Sequence, residues 1–355
     1  MTERRRLPEA LWTQLLWVLA ACSAWALLVM ERVLELHEGP PRTALIALGY
    51  VLVGGSANGA ARRLRHSRAR FLPLLLIAGI AAREWQRHAL YEQYRASGPI
   101  KSIAPATSLL RPITTTDVAL HYYALTSNQL ATRRLRIVLL SDLHVTRALP
   151  GAYYEQLFEL TAAQDPDLIL LAGDYVSEAE NIELVARLFA RQRVAARVGA
   201  FAVLGNHDFW TDPARIREAL SSGGVTLVEG RCQHLPSTIG RIAICGTEAP
   251  WGPELSTALD RTELNLVISH TPDNIYRLAE QGASLVFAGH THGGQIRVPG
   301  FGSIVVPSRF GRLFDEGHFQ VAGAELFVSP GVGAGMPPLR IYCQPEILVV
   351  DITRP

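Results

Sequence analysis

The sequence predicts a layered α/β domain carried behind an apolar, arginine-rich head. Three observations predict it. Short apolar runs recur between Ile137 and Ala288, each closed by Gly, Asp, Asn or His and followed by a polar stretch of helical period. After His292 the helical signals fade, and strands separated by Gly and Pro take over. Ahead of all this, residues 11–30 run without a charge, about the length a helix needs to cross a ~30 Å hydrocarbon core.

Composition agrees with this organisation. Of 355 residues, 48% are hydrophobic and 19% charged, below the roughly 25% charged share of an ordinary domain. Disorder, collagen-like repeats and a small disulfide scaffold are thereby excluded. The net charge of +2 conceals an asymmetry, because residues 1–95 hold 13 Arg against 7 Glu and leave the remainder slightly acidic. A nucleic-acid binder would carry its basic surplus on the folded body, so nucleic acid is not an expected partner. Cys22, Cys232, Cys245 and Cys343 are widely spaced with no C-x-x-C. Buried free thiols are therefore expected.

The head contains three apolar runs. Arg4, Arg5 and Arg6 precede the first, residues 11–30, and Glu31 and Arg32 close it. The second, Thr43–Ala60, is interrupted by Gly54, Gly55 and Gly59 and leads into Arg62, Arg63, Arg65, Arg68 and Arg70. Positive charge stays on the cytoplasmic side, so these two runs read as a hairpin in a bacterial inner membrane with both Arg clusters inside. The third run, Phe71–Ala82, carries Pro73 and stops at Arg83. It is shorter than the usual ~17–25 residues, which favours an interfacial segment and a cytoplasmic body. A helix continued through Leu90 would cross and reverse that side. A cleaved signal is the competing reading, but the first run stays apolar beyond Cys22 and outlasts a ~7–15-residue signal core. The expected organisation is membrane-anchoring helices over 1–96, a linker with an incoming strand over 97–131, and the catalytic domain over 132–355.

In the body, the apolar runs Ile137–Leu140, Leu168–Ala172, Phe201–Leu204, Leu264–Ile268 and Leu285–Ala288 read as strands buried on both faces. Tyr153–Ala163, Ile182–Ala196 and Ala214–Leu220 read as helices, the last opened by Asp212 as N-cap and Pro213 at the first position. Tyr153, Tyr154, Phe158 and Leu160 are expected in the core. Ile304–Val306, Leu326–Val328 and Ile347–Val350 complete the strands.

The strand ends carry the chemistry. They read Asp142-Leu143-His144, Gly173-Asp174, Gly205-Asn206-His207-Asp208, Ser269-His270 and Gly289-His290-Thr291-His292. Loops at the carboxyl ends of strands are where α/β sheets place ligands. Imidazole nitrogen and carboxylate oxygen suit Mn, Fe or Zn, and no thiolate biases the set toward softer ions. Alternation along a strand would point Asp142 with His144, and His290 with His292, to one side. The candidates Asp142, His144, Asp174, Asn206, His270, His290 and His292 are too many for one tetrahedral ion and suit two ions with one shared ligand, an arrangement used for phosphoester displacement. His121, His234 and His318 lack ligand spacing and read as ordinary surface or packed residues.

These blocks, in this order, resemble the calcineurin-like metallophosphoesterase signature, and Val328-Ser329-Pro330-Gly331 and Pro345-Glu346 in the tail are similar to its bacterial membrane-associated branch. The resemblance implies a four-layer α/β/β/α sandwich and two divalent metal ions (Mn, Fe or Zn). It gives Asp142, His144 and His292 to the first ion and Asn206, His270 and His290 to the second, with Asp174 bridging. It further implies in-line attack by a metal-bridging hydroxide, with His207 as the catalytic donor to the phosphoryl or leaving oxygen. Ser177-Glu178 stands where the protein phosphatases of this superfamily have Asp-Arg-Gly, so a phosphoprotein substrate is not expected and His207 must be oriented from elsewhere. Asp208 is a candidate for that task, with solvation or helix entry as alternatives. Arg309 and Arg312 are candidates for clamping a diphosphate, or for a solvated loop.

The function expected is a membrane-anchored phosphoester hydrolase acting on a lipid-linked substrate, with the diphosphate of UDP-2,3-diacylglucosamine in lipid A synthesis as the best-defined candidate. A hydrolase of soluble or cell-envelope phosphoesters is the alternative. A non-catalytic, metal-stabilised membrane module is the alternative of a different class.

Overall fold

The computed structural model describes residues 72–106, 113–192, 196–298, 302–335 and 339–355. The runs 11–30 and 43–60, with Cys22, His37 and His66, lie outside the described residues. The third run forms the start of helix α1 (Leu72–Tyr94), which continues past Arg83 and Glu84. Among the described residues, no helix is long and apolar enough to cross a membrane. The chain divides into two compact units, Met1–Gln93 and Tyr94–Pro355.

The second unit is built on two sheets. Sheet one contains β1 (Lys101–Ile103), β2 (Ala119–Thr126), β3 (Arg134–Leu140), β4 (Leu168–Leu171), β5 (Gly199–Ala202), β6 (Val225–Leu227) and β15 (Glu346–Thr353). Its order is β1-β2-β15-β3-β4-β5-β6. Sheet two contains β7 (Cys232–His234), β8 (Ile242–Thr247), β9 (Leu264–Ser269), β10 (Leu285–Ala288), β13 (Gly317–Val321) and β14 (Ala324–Val328). Its order is β13-β14-β10-β9-β8-β7. A separate small hairpin pairs β11 (Arg297–Val298) with β12 (Gly302–Ser303). Pairing is parallel along β3-β4-β5-β6 and along β14-β10-β9-β8, so each run sends its carboxyl ends the same way.

The apolar runs explain the layering. In β3, Ile137 and Leu139 face the other sheet, where they meet Leu266, Ile268 and Phe287, while Val138 and Leu140 face helices. Those helices are α2 (Gly151–Ala162), α3 (Ile182–Gln192) and α5 (Pro213–Ser222). Both faces of the strand are dry, which is why its sequence shows no polar alternation. The last strand, β15, inserts between β2 and β3 and buries both of its faces as well. Helix α6 (Ile275–Gln281) lies against β13 and β14, completing a helix, sheet, sheet, helix stack. Helix α4 (Asn206–Thr211) is short and follows β5 after Val203, Leu204 and Gly205.

Local signals correspond well. Tyr153, Tyr154 and Phe158 are core residues and Leu160 packs against them. The Asp212 side chain caps α5 by accepting from the Arg215 N–H, and Pro213 follows it. Two expectations are corrected. The segment Ile304–Val306 is not a strand; the residues that pair with β11 are Gly302–Ser303. Cys232 and Cys245 are not free thiols. They face each other across the antiparallel β7-β8 pair and form a disulfide, while Cys343 is free and buried as expected.

Candidate metal centre

The carboxyl ends of β3, β4, β5, β9 and β10 deliver the strand-end blocks to one place. The expected period-two argument for Asp142/His144 and His290/His292 does not describe how. These residues lie beyond their strands, and the backbone of Asp142 (φ 53°), His144 (φ 40°), Asp174 (φ 56°), His290 (φ 68°) and His292 (φ 51°) is left-handed. Non-glycine residues persist there only when surrounding structure over-determines them, and such strain clusters at functional sites. Two glycines allow the approach. A Cβ on Gly205 would lie 2.2 Å from Asp174 Oδ1, and one on Gly289 would lie 2.2 Å from Asp142 Oδ2.

The seven candidate ligands converge in two groups. Asp142, His144, Asp174 and His292 present ligand atoms within 4.8 Å of one another, as do Asp174, His270 and His290. Asn206 joins the second group, its Oδ1 2.9 Å from His270 Nε2. Asp174 belongs to both. Its Oδ2 lies 3.4 Å from His144 Nε2 and 3.3 Å from His270 Nε2, yet it is buried without a hydrogen bond of good geometry. Elsewhere nitrogen faces nitrogen, with His144 Nε2 3.1 Å from His292 Nε2 and His270 Nε2 3.2 Å from His290 Nδ1. Inward-facing imidazole nitrogens around an unsatisfied carboxylate oxygen form a donor set that, once deprotonated, fits divalent cations.

Electrostatics follow from burial and proximity. Burial raises Asp142, and the negative charge of Asp174 adds to that. Burial alone would raise Asp174 too, but His270 and His144 outweigh it and hold the carboxyl well below its ordinary range. Burial pulls His270 down, and Asp174 more than reverses this, lifting it to about 9.

Outer contacts fix the rings. The Ala172 carbonyl lies 2.7 Å from His270 Nδ1, and Ser177 Oγ lies 2.6 Å from His144 Nδ1. Partners of this kind set the tautomer and orientation of a metal-binding imidazole. In the sequence Ser177 stands out only as a departure from the protein-phosphatase pattern; its contact with His144 depends on the β4 loop folding over the β3 loop. Asp142 Oδ2 accepts from the Ser141 hydroxyl at 2.5 Å, and its carboxylate accepts the His290 N–H at 3.1 Å.

His207 sits at the edge of this arrangement. Its ring centroid is 4.8 Å from that of His144 and 4.9 Å from that of Trp210, and Trp210 is half exposed. Burial lowers His207 to about 4, so the ring is neutral near pH 7 and can donate one N–H. Asp208 does not orient it. The Asp208 carboxylate is buried and accepts the backbone N–H groups of Asp174, Tyr175 and Gly205 at 2.8–2.9 Å, tying the Asp174 loop to the Asn206 loop. Trp251 flanks the other side, 4.9 Å from the His290 ring. Neither tryptophan was marked by the sequence blocks.

Arg309 is engaged elsewhere, since its N–H donates to Asp273 Oδ2 at 2.9 Å and its guanidinium to the Asp273 carbonyl. Arg312 is buried rather than on a solvated loop, with its guanidinium beside Gly302. His121 pairs with Glu346, His318 with Glu325 and His234 with Glu263, outside both ligand groups.

Residues 135–294, which contain all five blocks, match the calcineurin-like phosphoesterase family. The chain carries a calcineurin-like metallophosphoesterase domain. It is similar to the phosphodiesterase YaeI of Escherichia coli (strain K12), with 29% identity over 222 residues, 61% of this chain and 82% of that protein. It is 27% identical to the uncharacterized metallophosphoesterase YkuE of Bacillus subtilis (strain 168) over 61% of this chain and 78% of that one. An uncharacterized metallophosphoesterase of Helicobacter pylori (strain J99) is 30% identical over 61% of this chain and 59% of its own length. The metallophosphoesterase domain is a hydrolase of phosphoesters that uses two divalent metals. The alternative of a non-catalytic module is not sustained.

Proposed function

We propose that this protein hydrolyses phosphodiesters at a bacterial inner membrane, using two divalent cations held by the two ligand groups. One observation carries the reading: Asp174 Oδ2, buried and unsatisfied, lies between His144 and His270, each from a different group. Bound there, two cations supply a polarised phosphoryl oxygen and a water of lowered pKa. The chain's own contribution is orientation. Asp208 and Ser177 hold the loops and the His144 ring, and His207 offers a neutral N–H beside the exposed Trp210. The similarity to a phosphodiesterase supports a diester over a monoester. The test compares bis-p-nitrophenyl phosphate with p-nitrophenyl phosphate in the presence of Mn²⁺. Diester turnover lost in Asp174→Ala is expected, and equal or greater monoester turnover would overturn the reading.

The substrate depends on the side of the membrane. UDP-2,3-diacylglucosamine, the candidate raised by the resemblance, requires a cytoplasmic body. The Cys232–Cys245 disulfide supports the opposite side, because disulfides persist in oxidising compartments and not in the reducing cytoplasm. Cell-envelope phosphodiesters are then the substrates within reach. Thiol alkylation of intact cells, followed by mass analysis of the β7-β8 peptides, distinguishes the two. Oxidised cysteines with no UMP released from UDP-2,3-diacylglucosamine favour the envelope; reduced cysteines with UMP release restore the cytoplasmic lipid.

A further inference from the structure

The largest fully buried side chain among the described residues is a cation, Arg340. Its hydrogen bonds go to main-chain carbonyls and a sulfur, with no carboxylate among them. Nε donates to Gly333 O at 2.6 Å, Nη2 to Pro330 O at 2.5 Å, and Nη1 to His292 O at 3.3 Å, with Cys343 Sγ 3.5 Å away. The buried Glu316 carboxyl feels the Arg340 charge but makes no direct bond to it; burying a charge without a bonded counter-ion is unfavourable, so the position asks for a reason beyond core packing.

The acceptors supply that reason. The segment Pro330–Gly333 is a strut against the loop after β3, because the Val332 N–H donates to Ser141 O at 3.0 Å and the Gly333 N–H to Asp142 O at 2.8 Å. The third acceptor is the carbonyl of His292 itself, which also receives the Cys343 thiol at 3.0 Å. One planar guanidinium therefore ties the support of Asp142 directly to His292. These two residues come from opposite sheets, and His292 Nε2 lies 3.5 Å from Asp142 Oδ1. Both have left-handed backbones, which need such outside restraint.

We propose that Arg340 is a positioning residue that sets the cation affinity of the Asp142–His144–His292 group by holding Asp142 and His292 at fixed separation. The inference rests on reading the two groups as cation sites. It makes a sign prediction. Charge alone would make Arg340 repel a cation, so removing it would tighten binding. A geometric brace predicts the reverse.

The test is Mn²⁺ binding to the full-length, detergent-solubilised protein, read by elemental analysis after equilibration at graded free Mn²⁺. The wild type is expected to hold two ions. Arg340→Met is expected to hold one at unchanged affinity while the other weakens ~10–100-fold, the usual effect of losing a support behind a ligand. Arg340→Lys keeps the charge but not the three-way fork, and is expected to weaken the same ion; it carries the test should the Met variant fail to fold. Cys343→Ala, which removes the second donor to His292 O without altering a charge, should weaken that ion to a smaller degree. Two ions at wild-type or higher affinity in folded Arg340 variants would overturn the proposal. A wild type that binds no Mn²⁺ would instead overturn the reading of the groups as cation sites.

Discussion

The main-chain N–H of His207 donates to Asp174 Oδ1 over 2.9 Å, while the other oxygen of the same carboxylate faces His144 and His270. One side chain thus positions the candidate donor and joins the two ligand groups. Asp174→Asn separates these duties. The amide oxygen can still accept from His207, but its NH₂ would point at the imidazole lone pairs and occupy the place of a cation. The expected variant is folded, binds fewer than two Mn²⁺ ions and loses more than ~10²-fold in diester turnover, since a ligand should matter more than its supports. Circular dichroism, elemental analysis and the diester assay check it; full turnover would remove Asp174 from the centre.

His207 belongs to neither ligand group, and its ring packs between His144 and Trp210. His207→Ala is therefore expected to retain both Mn²⁺ ions while kcat falls ~10²–10³-fold, the usual loss for a donor to a developing negative oxygen. A variant that also loses metal would make His207 a ligand.

Ser177→Ala tests the support behind His144, whose Nδ1 lies 2.6 Å from the hydroxyl. Freed of that partner, the ring can rotate or change tautomer. Weaker Mn²⁺ binding by ~10-fold, with thermal stability close to wild type, is the expected result. Unchanged affinity in a titration would show that the ring is fixed by packing alone.

The ligand set was legible because each block sits at the end of an apolar run, and such runs announce buried parallel strands. What joins the blocks was not. Ser177 reaches His144 across 33 residues and Arg340 reaches His292 across 48, separations with no local pattern. Strand β2 was legible only as an incoming strand somewhere in 97–131. Its residues HYYALT mix polar and aromatic types and mark no bounds, and its partner along its whole length is the terminal strand β15. The disulfide was missed because a 13-residue separation says nothing until β7 and β8 are known to be antiparallel neighbours in register. Strand-end alternation failed for the ligands because their backbones turn left-handed just past the strands, which only the packed loops reveal.

Reducing the disulfide is expected to destabilise the domain without touching the ligands. Cross-linking residues 13 apart removes unfolded-state entropy worth about 3 kcal/mol. Cys232→Ser should therefore lower the melting temperature, and dithiothreitol should lower that of the wild type by a similar amount while leaving the variant unaffected. A wild type indifferent to reductant would show that the bond contributes no stability.

Burial lifts the Glu248 carboxyl from its usual 4.5 to about 8, while the Leu204 N–H donating to its Oε1 at 2.6 Å pulls the other way. Its Oε2 is buried without a hydrogen-bond partner, and the Arg217 guanidinium stays 3.9 Å away. The folded state therefore holds a proton that the unfolded chain has released between these two values. Stability contributed by this group is full below pH 4.5, falls as pH rises toward 8, and is lost above it. Glu248→Gln keeps the acceptor for Leu204 and cannot ionise. Relative to wild type, the variant should gain stability steadily from pH 5 to pH 8.5 in urea unfolding curves. Parallel curves for the two proteins would mean that Glu248 is ionised in the fold at neutral pH and that the Arg217 pairing, despite its distance, governs it.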